Sequence, residues 1–198
     1  MRKLLISTGN KDKIIEIRDE YKDLEYEIVS PDQLGLDLDV EETGSTLEEN
    51  ALLKARAGAE ASNLLTLADD TGLEVDALDG RPGIYSARFA GEEATYQDNN
   101  QKLLELLKNY PEEERTACFV TIAALVDPAT GREETVKGIC RGRIISEYRG
   151  DNGFGYDPIF YLPEKGRTFA ELTTEEKNRI SHRANALKKM KKILDNWN

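Results

Sequence analysis

Histidine occurs once in the 198 residues, at position 182, and cysteine only twice, at positions 118 and 140. That spacing builds no zinc site and no disulfide framework, because each needs several grouped ligands or regularly paired thiols. Reduced thiols inside a core are the expectation for Cys118 and Cys140. Long apolar runs are also missing. Leu4-Leu5-Ile6 opens the chain but is too short for a signal peptide or a membrane span, so a cytoplasmic protein with no membrane contact is expected. Basic residues are in deficit, with 27 Lys and Arg against 38 Asp and Glu and a formal net charge of -11. Binding to duplex nucleic acid depends on cations that replace condensed counterions, so a nucleic-acid partner is disfavoured. No internal repeat or low-complexity linker interrupts the chain, and no G-x-x-x-x-G-K-[ST] spacing supports Walker-type ATPase chemistry.

What is present is charge that is unevenly spread. Residues 19–50 hold twelve Asp and Glu against one Lys, whereas residues 165–192 hold nine Lys and Arg against three Glu. Two solvated faces would account for this; so would an acidic wall that holds a cation opposite a basic wall that holds an anion. The length suffices for one substantial core or for two lobes sharing one sheet, and one domain spanning residues 1–198 is the default.

Residues 3–7 read as a strand closed by Thr8-Gly9-Asn10 and followed by an apolar-periodic helix. Residues 26–30 read as a second strand, and Ser45-Thr-Leu-Glu48 as the capping box of a helix reaching about residue 61. A short strand over residues 65–68 then runs into Asp69-Asp70, and a further helix covers about residues 96–107. Residues 116–126 and 135–145 flank the hairpin signal Asp127-Pro-Ala-Thr-Gly131, which demands an antiparallel pair. The remainder is a glycine-rich loop at residues 150–155, a short strand near Ile159 and a basic helix after Ser181. Alternating elements with one hairpin predict an α/β fold on a mixed sheet.

Several groups carry candidate chemistry. Thr8, Gly9, Asn10, Lys11, Asp12 and Lys13 stand where a strand ends and a helix begins, a natural anion site, although a plain capped helix has the same pattern. Glu41-Glu42 precedes a helix on which Asn50 and Lys54 lie one turn apart on one face. Asp69-Asp70 follows an apolar strand, where open α/β sheets present ligands. Strand geometry sends the two carboxylates to opposite faces, so one could bind metal or act as a base while the other is held by the fold. A turn cap with an exposed neighbour is the competing explanation. Phe154, Gly155, Tyr156 and Asp157 join permissive glycine, aromatic rings and an acceptor, suiting nucleobase stacking or simply a tight turn. Lys177, His182 and Arg183 place cations around a helix start that the macrodipole disfavours.

Taken in order, Thr8-Gly-Asn-x-x-Lys13, Glu41-Glu-Thr-Gly-x-Thr46, Asn50-Ala-x-x-Lys54, Ala68-Asp-Asp-Thr-Gly-Leu73, Pro82-Gly-Ile-Tyr-Ser-Ala-Arg88, Phe154-Gly-Tyr-Asp-Pro158 and Ser181-His-Arg183 resemble the inosine triphosphate pyrophosphatase family. The resemblance spans nearly the whole chain. It implies a two-lobed mixed α/β fold with long central strands, a homodimer, and hydrolysis of non-standard purine nucleoside triphosphates (ITP, dITP and XTP) to monophosphate and pyrophosphate. Glu41 and Asp70 match the magnesium positions, and Asp70 the general base with Asp69 in reserve. Thr8 to Lys13 match the phosphate loop, and Thr71, Phe154 to Asp157, Lys177, His182 and Arg183 the other substrate contacts. Two rivals are a non-catalytic nucleotide-binding module and a pyrimidine triphosphate pyrophosphatase of similar architecture.

Overall fold

The computed structural model describes residues 2–197. The elements are β1 (Arg2–Ile6), α1 (Lys11–Glu20), β2 (Tyr26–Val29), α2 (Pro31–Leu34), α3 (Leu47–Ser62), β3 (Leu65–Val75), β4 (Pro82–Gly83), α4 (Tyr96–Leu107), β5 (Thr116–Val126), β6 (Glu133–Ile144), β7 (Phe160–Leu162), β8 (Arg167–Thr168), α5 (Thr174–Ile180) and α6 (His182–Leu194). The fold is mixed α/β, with a central mixed sheet flanked by helices. Strands follow the order β2-β1-β3-β5-β6-β7-β8, with β4 paired to β3.

The pairings follow from the connections. β1 lies parallel to both β2 and β3, and a parallel neighbour needs a crossover, supplied here by segments that carry α1 and α3. Leu4, Leu5 and Ile6 are fully buried, as expected of a parallel strand covered on both faces. β5 and β6 are joined by the Asp127 to Gly131 turn, which the Asp127 N–H closes on the Arg132 carbonyl at 2.9 Å. β7 and β8 continue antiparallel from β6.

Two compact units form. The first takes the residues up to Asp70, Thr121–Gly138 and those from Arg183 onward; the second takes Thr71–Val120 and Ile139–His182. The first unit's core joins Leu4, Ile6, Ile17, Leu67 and Leu125 to Leu187 and Met190 of α6. The Tyr21 hydroxyl there donates to the Leu187 carbonyl. Trp197 is buried in the same core; its Nε1 donates to Asp127 at 3.2 Å and the Arg132 guanidinium lies 4.1 Å above its ring. The second unit's core gathers Leu73, Leu103, Phe119, Ile159, Phe160 and Phe169.

Two expectations are corrected. The strand expected to stop before the acidic pair instead runs on through Asp69 and Asp70 to Val75. Its outer half pairs with β4, Leu73 against Gly83 and Glu74 against Pro82, so residues that look like a turn are extended. The helix cap also sits one residue later: Thr46 is the N-cap of α3 and accepts from the Glu49 N–H. Ser45 binds the Glu49 carboxylate through both its backbone N–H and its hydroxyl. Among the described residues no helix is long and apolar enough to cross a membrane.

Candidate active site

The first unit gathers most of the charged candidates. β1 pairs with β3 as far as Ile6 against Leu67, and the Ser7 N–H then donates to the Leu67 carbonyl. Beyond that point β1 leaves the sheet, and Asp69 and Asp70 extend past its end. The Asn10 side chain caps α1, accepting from the Asp12 and Lys13 N–H groups at 2.9 and 3.2 Å, while Thr8 accepts from the Asn10 N–H. Gly9, Lys11 and Asp12 are exposed, and Lys13 turns inward.

Alternation along β3 separates the two aspartates. Asp69, 1% exposed, meets Lys13 Nζ at 3.1 Å and Arg183 Nε at 3.1 Å, and Arg183 reaches on to Glu16. Burial would raise the Asp69 carboxyl, but the Lys13, Arg183 and Lys54 cations outweigh it and hold the group well below the ordinary carboxylate range. Asp69 is therefore a fixed anion. Asp70 points the other way: its Oδ1 accepts from Lys54 Nζ at 2.7 Å, and the same ammonium reaches Glu42 at 2.7 Å. Burial first, and then the Glu42 charge, raise the Asp70 carboxyl, against the pull of Lys54. Asp70 Oδ2 is buried with no hydrogen-bond partner among the described residues. Asn50, fully buried, accepts the Gly44 N–H at 2.8 Å and so ties the acidic loop to α3. Glu41 itself is exposed; its neighbour Glu42 makes the contact with Lys54.

The second unit holds the remaining candidates, beginning with half-buried Thr71 next along β3. Lys177 Nζ binds Asp157 at 2.7 Å and lies 4.7 Å above the Phe154 ring. Asp157 also accepts the Phe154 N–H, which closes the glycine-rich loop. Gly155 is pinned by its carbonyl to the Asn100 amide at 3.0 Å. Tyr156 faces the core, its hydroxyl donating to the Ser86 carbonyl at 2.8 Å, and burial raises its phenol. His182 stacks on Phe119, with centroids 4.5 Å apart and planes 15° from parallel.

Gly153 shows why this loop needs glycine. Its φ of +75° lies in the left-handed region, and a Cβ there would meet Asp157 Oδ2 at 2.1 Å. Gly153→Ala should cost about 2 kcal/mol or more of stability; urea unfolding of the purified variant measures it, and an unchanged midpoint would contradict the assignment.

Glu16, Glu42 and Asn100 were missed as single site residues by sequence reasoning. For Glu16 the available signal was its place three residues after Lys13, on the same helix face. For Asn100 no local signal exists, because its partner Gly155 lies 55 residues away.

The Ham1 family profile matches residues 4–193. A dITP/XTP pyrophosphatase of Thermoanaerobacter sp. (strain X514) is 52% identical over 192 residues, covering 97% of this chain and 96% of that protein. The dITP/XTP pyrophosphatase of Bacillus subtilis (strain 168) is 47% identical over 196 residues, with 98% of each chain covered. The solved HAM1 protein from Coxiella burnetii superposes with a TM-score of 0.91 at 41% identity, covering 99% of this chain and all of that one. The Staphylococcus aureus Ham1 protein gives 0.88 at 43% identity, with both chains fully covered. With the profile matched across nearly its whole length and relatives near half identity, the chain belongs to the Ham1 family.

Proposed function

We propose that the chain hydrolyses non-standard purine nucleoside triphosphates (ITP, dITP and XTP) to the monophosphate and pyrophosphate, in a magnesium-dependent reaction for which Asp70 is the general base. The observation that carries this reading is the divided aspartate pair. Two adjacent carboxylates in opposite settings have different tasks: Asp69 is held as an anion between Lys13 and Arg183, whereas Asp70 meets Lys54 through one oxygen and keeps the other buried without a hydrogen-bond partner among the described residues. The names of the relatives, dITP/XTP pyrophosphatases from several bacteria, supply the substrate class.

The donor set suits magnesium. Asp70 has a buried oxygen without a hydrogen-bond partner, and Glu41 and Glu42 add hard carboxylate oxygens in the same unit. No cluster of three or more His, Cys, Asp or Glu is assembled for a metal among the described residues. One or two carboxylates completed by substrate phosphates and water is how magnesium is commonly held. Glu41 and Asp70 would hold the ion, which when bound neutralises charge on the departing pyrophosphate. A carboxylate oxygen engaged with a cation is a poor base, and Oδ1 is already engaged by the Lys54 ammonium, so Asp70 would act as base through Oδ2 by way of a water that the ion holds, and Asp69 remains the reserve candidate. Lys13 and Lys54 are compact point charges suited to the phosphate chain, and of the Thr8 to Lys13 loop the Gly9 and Lys11 N–H groups remain for the same anion, the others being bonded within β1 and the loop. Lys177 belongs to this cationic set by resemblance.

In the second unit, Phe154 with its loop suits stacking on a purine. By resemblance, a donor of His182 would satisfy a 6-oxo group but face the 6-amino group of adenine unpaired, a mismatch that can cost several powers of ten in rate; the Arg183 guanidinium is taken up by Asp69 and Glu16. A homodimer, on resemblance, and a place in the cytoplasm, from the short apolar runs, complete the reading.

Pyrophosphate release from dITP, XTP, dTTP and ATP with Mg²⁺ tests the proposal. Turnover of dITP and XTP at least about 100-fold above ATP is expected. Release from none of them would end the enzymatic reading in favour of a binding module, and preference for dTTP would move the chain to a pyrimidine pyrophosphatase. Omitting the metal should abolish release.

A further inference from the structure

Lys54 approaches Asp70 from α3, whereas the phosphate loop departs from β1, and one side-chain contact joins those two elements beside the site. Ser7, the first residue after β1, is 3% exposed and donates its Oγ to the Lys54 carbonyl at 2.8 Å. Helical geometry directs the N–H of the residue four further on, Gly58, to that same carbonyl. Gly58 is buried within α3, where glycine costs about 1 kcal/mol relative to alanine, so its presence asks for a reason. The reason is space. A Cβ at position 58 would lie 2.9 Å from Ser7 Cβ, 2.9 Å from Ser7 Oγ and 2.9 Å from Thr66 Cγ2, well inside ordinary carbon contact. Helix α3 therefore rests directly on the ends of β1 and β3, and the Ser7 hydroxyl fixes its rise and rotation at the residue that carries the ammonium.

We propose that Ser7 is a positioning residue for Lys54: seated against Gly58, its hydroxyl holds the Lys54 backbone so that the ammonium lies between Asp70 and Glu42. This rests on the reading of Lys54 as a phosphate-neutralising group. Ser7 touches no substrate in this account; it acts through another residue, and its effect disappears when that residue no longer carries its charge.

The test is a double-mutant cycle on kcat/KM for pyrophosphate release from dITP, with each variant assayed well below its own melting midpoint. Lys54→Met should lower kcat/KM about 100-fold. Ser7→Ala should lower it about 10-fold in the wild-type background and less than about twofold in the Lys54→Met background, because coupled residues are not additive. Ser7→Cys keeps the shape with a weaker donor and should fall between the two in the wild-type background, which keeps the test open if Ser7→Ala folds poorly. Gly58→Ala, which must push α3 away, should show the same dependence on Lys54. Equal losses from Ser7→Ala in both backgrounds would overturn the positioning role while leaving the role of Lys54 intact. An unchanged rate in Lys54→Met would remove the reading of Lys54 and this proposal with it.

Discussion

Asp70→Asn is expected to lower kcat/KM for pyrophosphate release from dITP by about 10³-fold or more, since under the proposed function it removes the proton acceptor and a magnesium-binding charge together. Folding should survive the change. Asp70 is buried at 6% exposure with its carboxyl raised, which means the fold already disfavours its charge. An amide retains an oxygen for Lys54, and Lys54 keeps Glu42 at 2.7 Å. A melting midpoint within a few degrees of wild type together with lost turnover is the expected pair of results. Near-wild-type turnover in Asp70→Asn, with a folded but dead Asp69→Asn, would reverse the two assignments.

Arg183→Met should instead act mainly on stability. Arg183, Asp69 and Glu16 are buried at 1%, 1% and 8% exposure, and deleting one partner of a buried ion pair typically costs about 3–5 kcal/mol. Adding Glu16→Gln to Arg183→Met should recover part of that loss, because one stranded carboxylate is then neutral. The dependence on pH has a defined sign. The folded-state affinity of Asp69 for a proton is depressed, so its contribution is complete above the unfolded carboxylate range near about pH 4 and declines as pH falls further. Wild type and Arg183→Met should therefore converge in unfolding free energy on acidification from about pH 6 to about pH 3. A constant gap across that range would show that the guanidinium stabilises the fold through packing alone.

Much of this architecture could be read from local pattern. The apolar run of β1, the Asp127 to Gly131 hairpin and the cap near α3 are short-range signals, and they point to the right elements within a residue or two. The true length of β3 was hidden because Asp69, Asp70 and Thr71 interrupt its apolar pattern, while the strand that supports its outer half has only two residues. Arg183 and Glu16 look like surface charges until brought together across 167 residues. The tandem Glu41-Glu42 could not be resolved either. Neighbours in a loop differ in reach by a bond rotation, and only the position of Lys54 shows that Glu42 turns toward it. Gly58 was invisible for another reason: glycine in a helix announces strain or closeness, and which of these holds depends on what lies opposite.

The chain's only tryptophan, Trp197, is held beneath Arg132 and bonded to Asp127, with all three residues in the first unit. Its emission is thus an optical reporter of that unit alone, while backbone circular dichroism sums both units. Unfolding of the unit that carries the Glu16, Arg183 and Asp69 cluster can accordingly be followed in wild-type protein without a label, and a fluorescence transition that precedes the dichroism transition would reveal the two units unfolding separately.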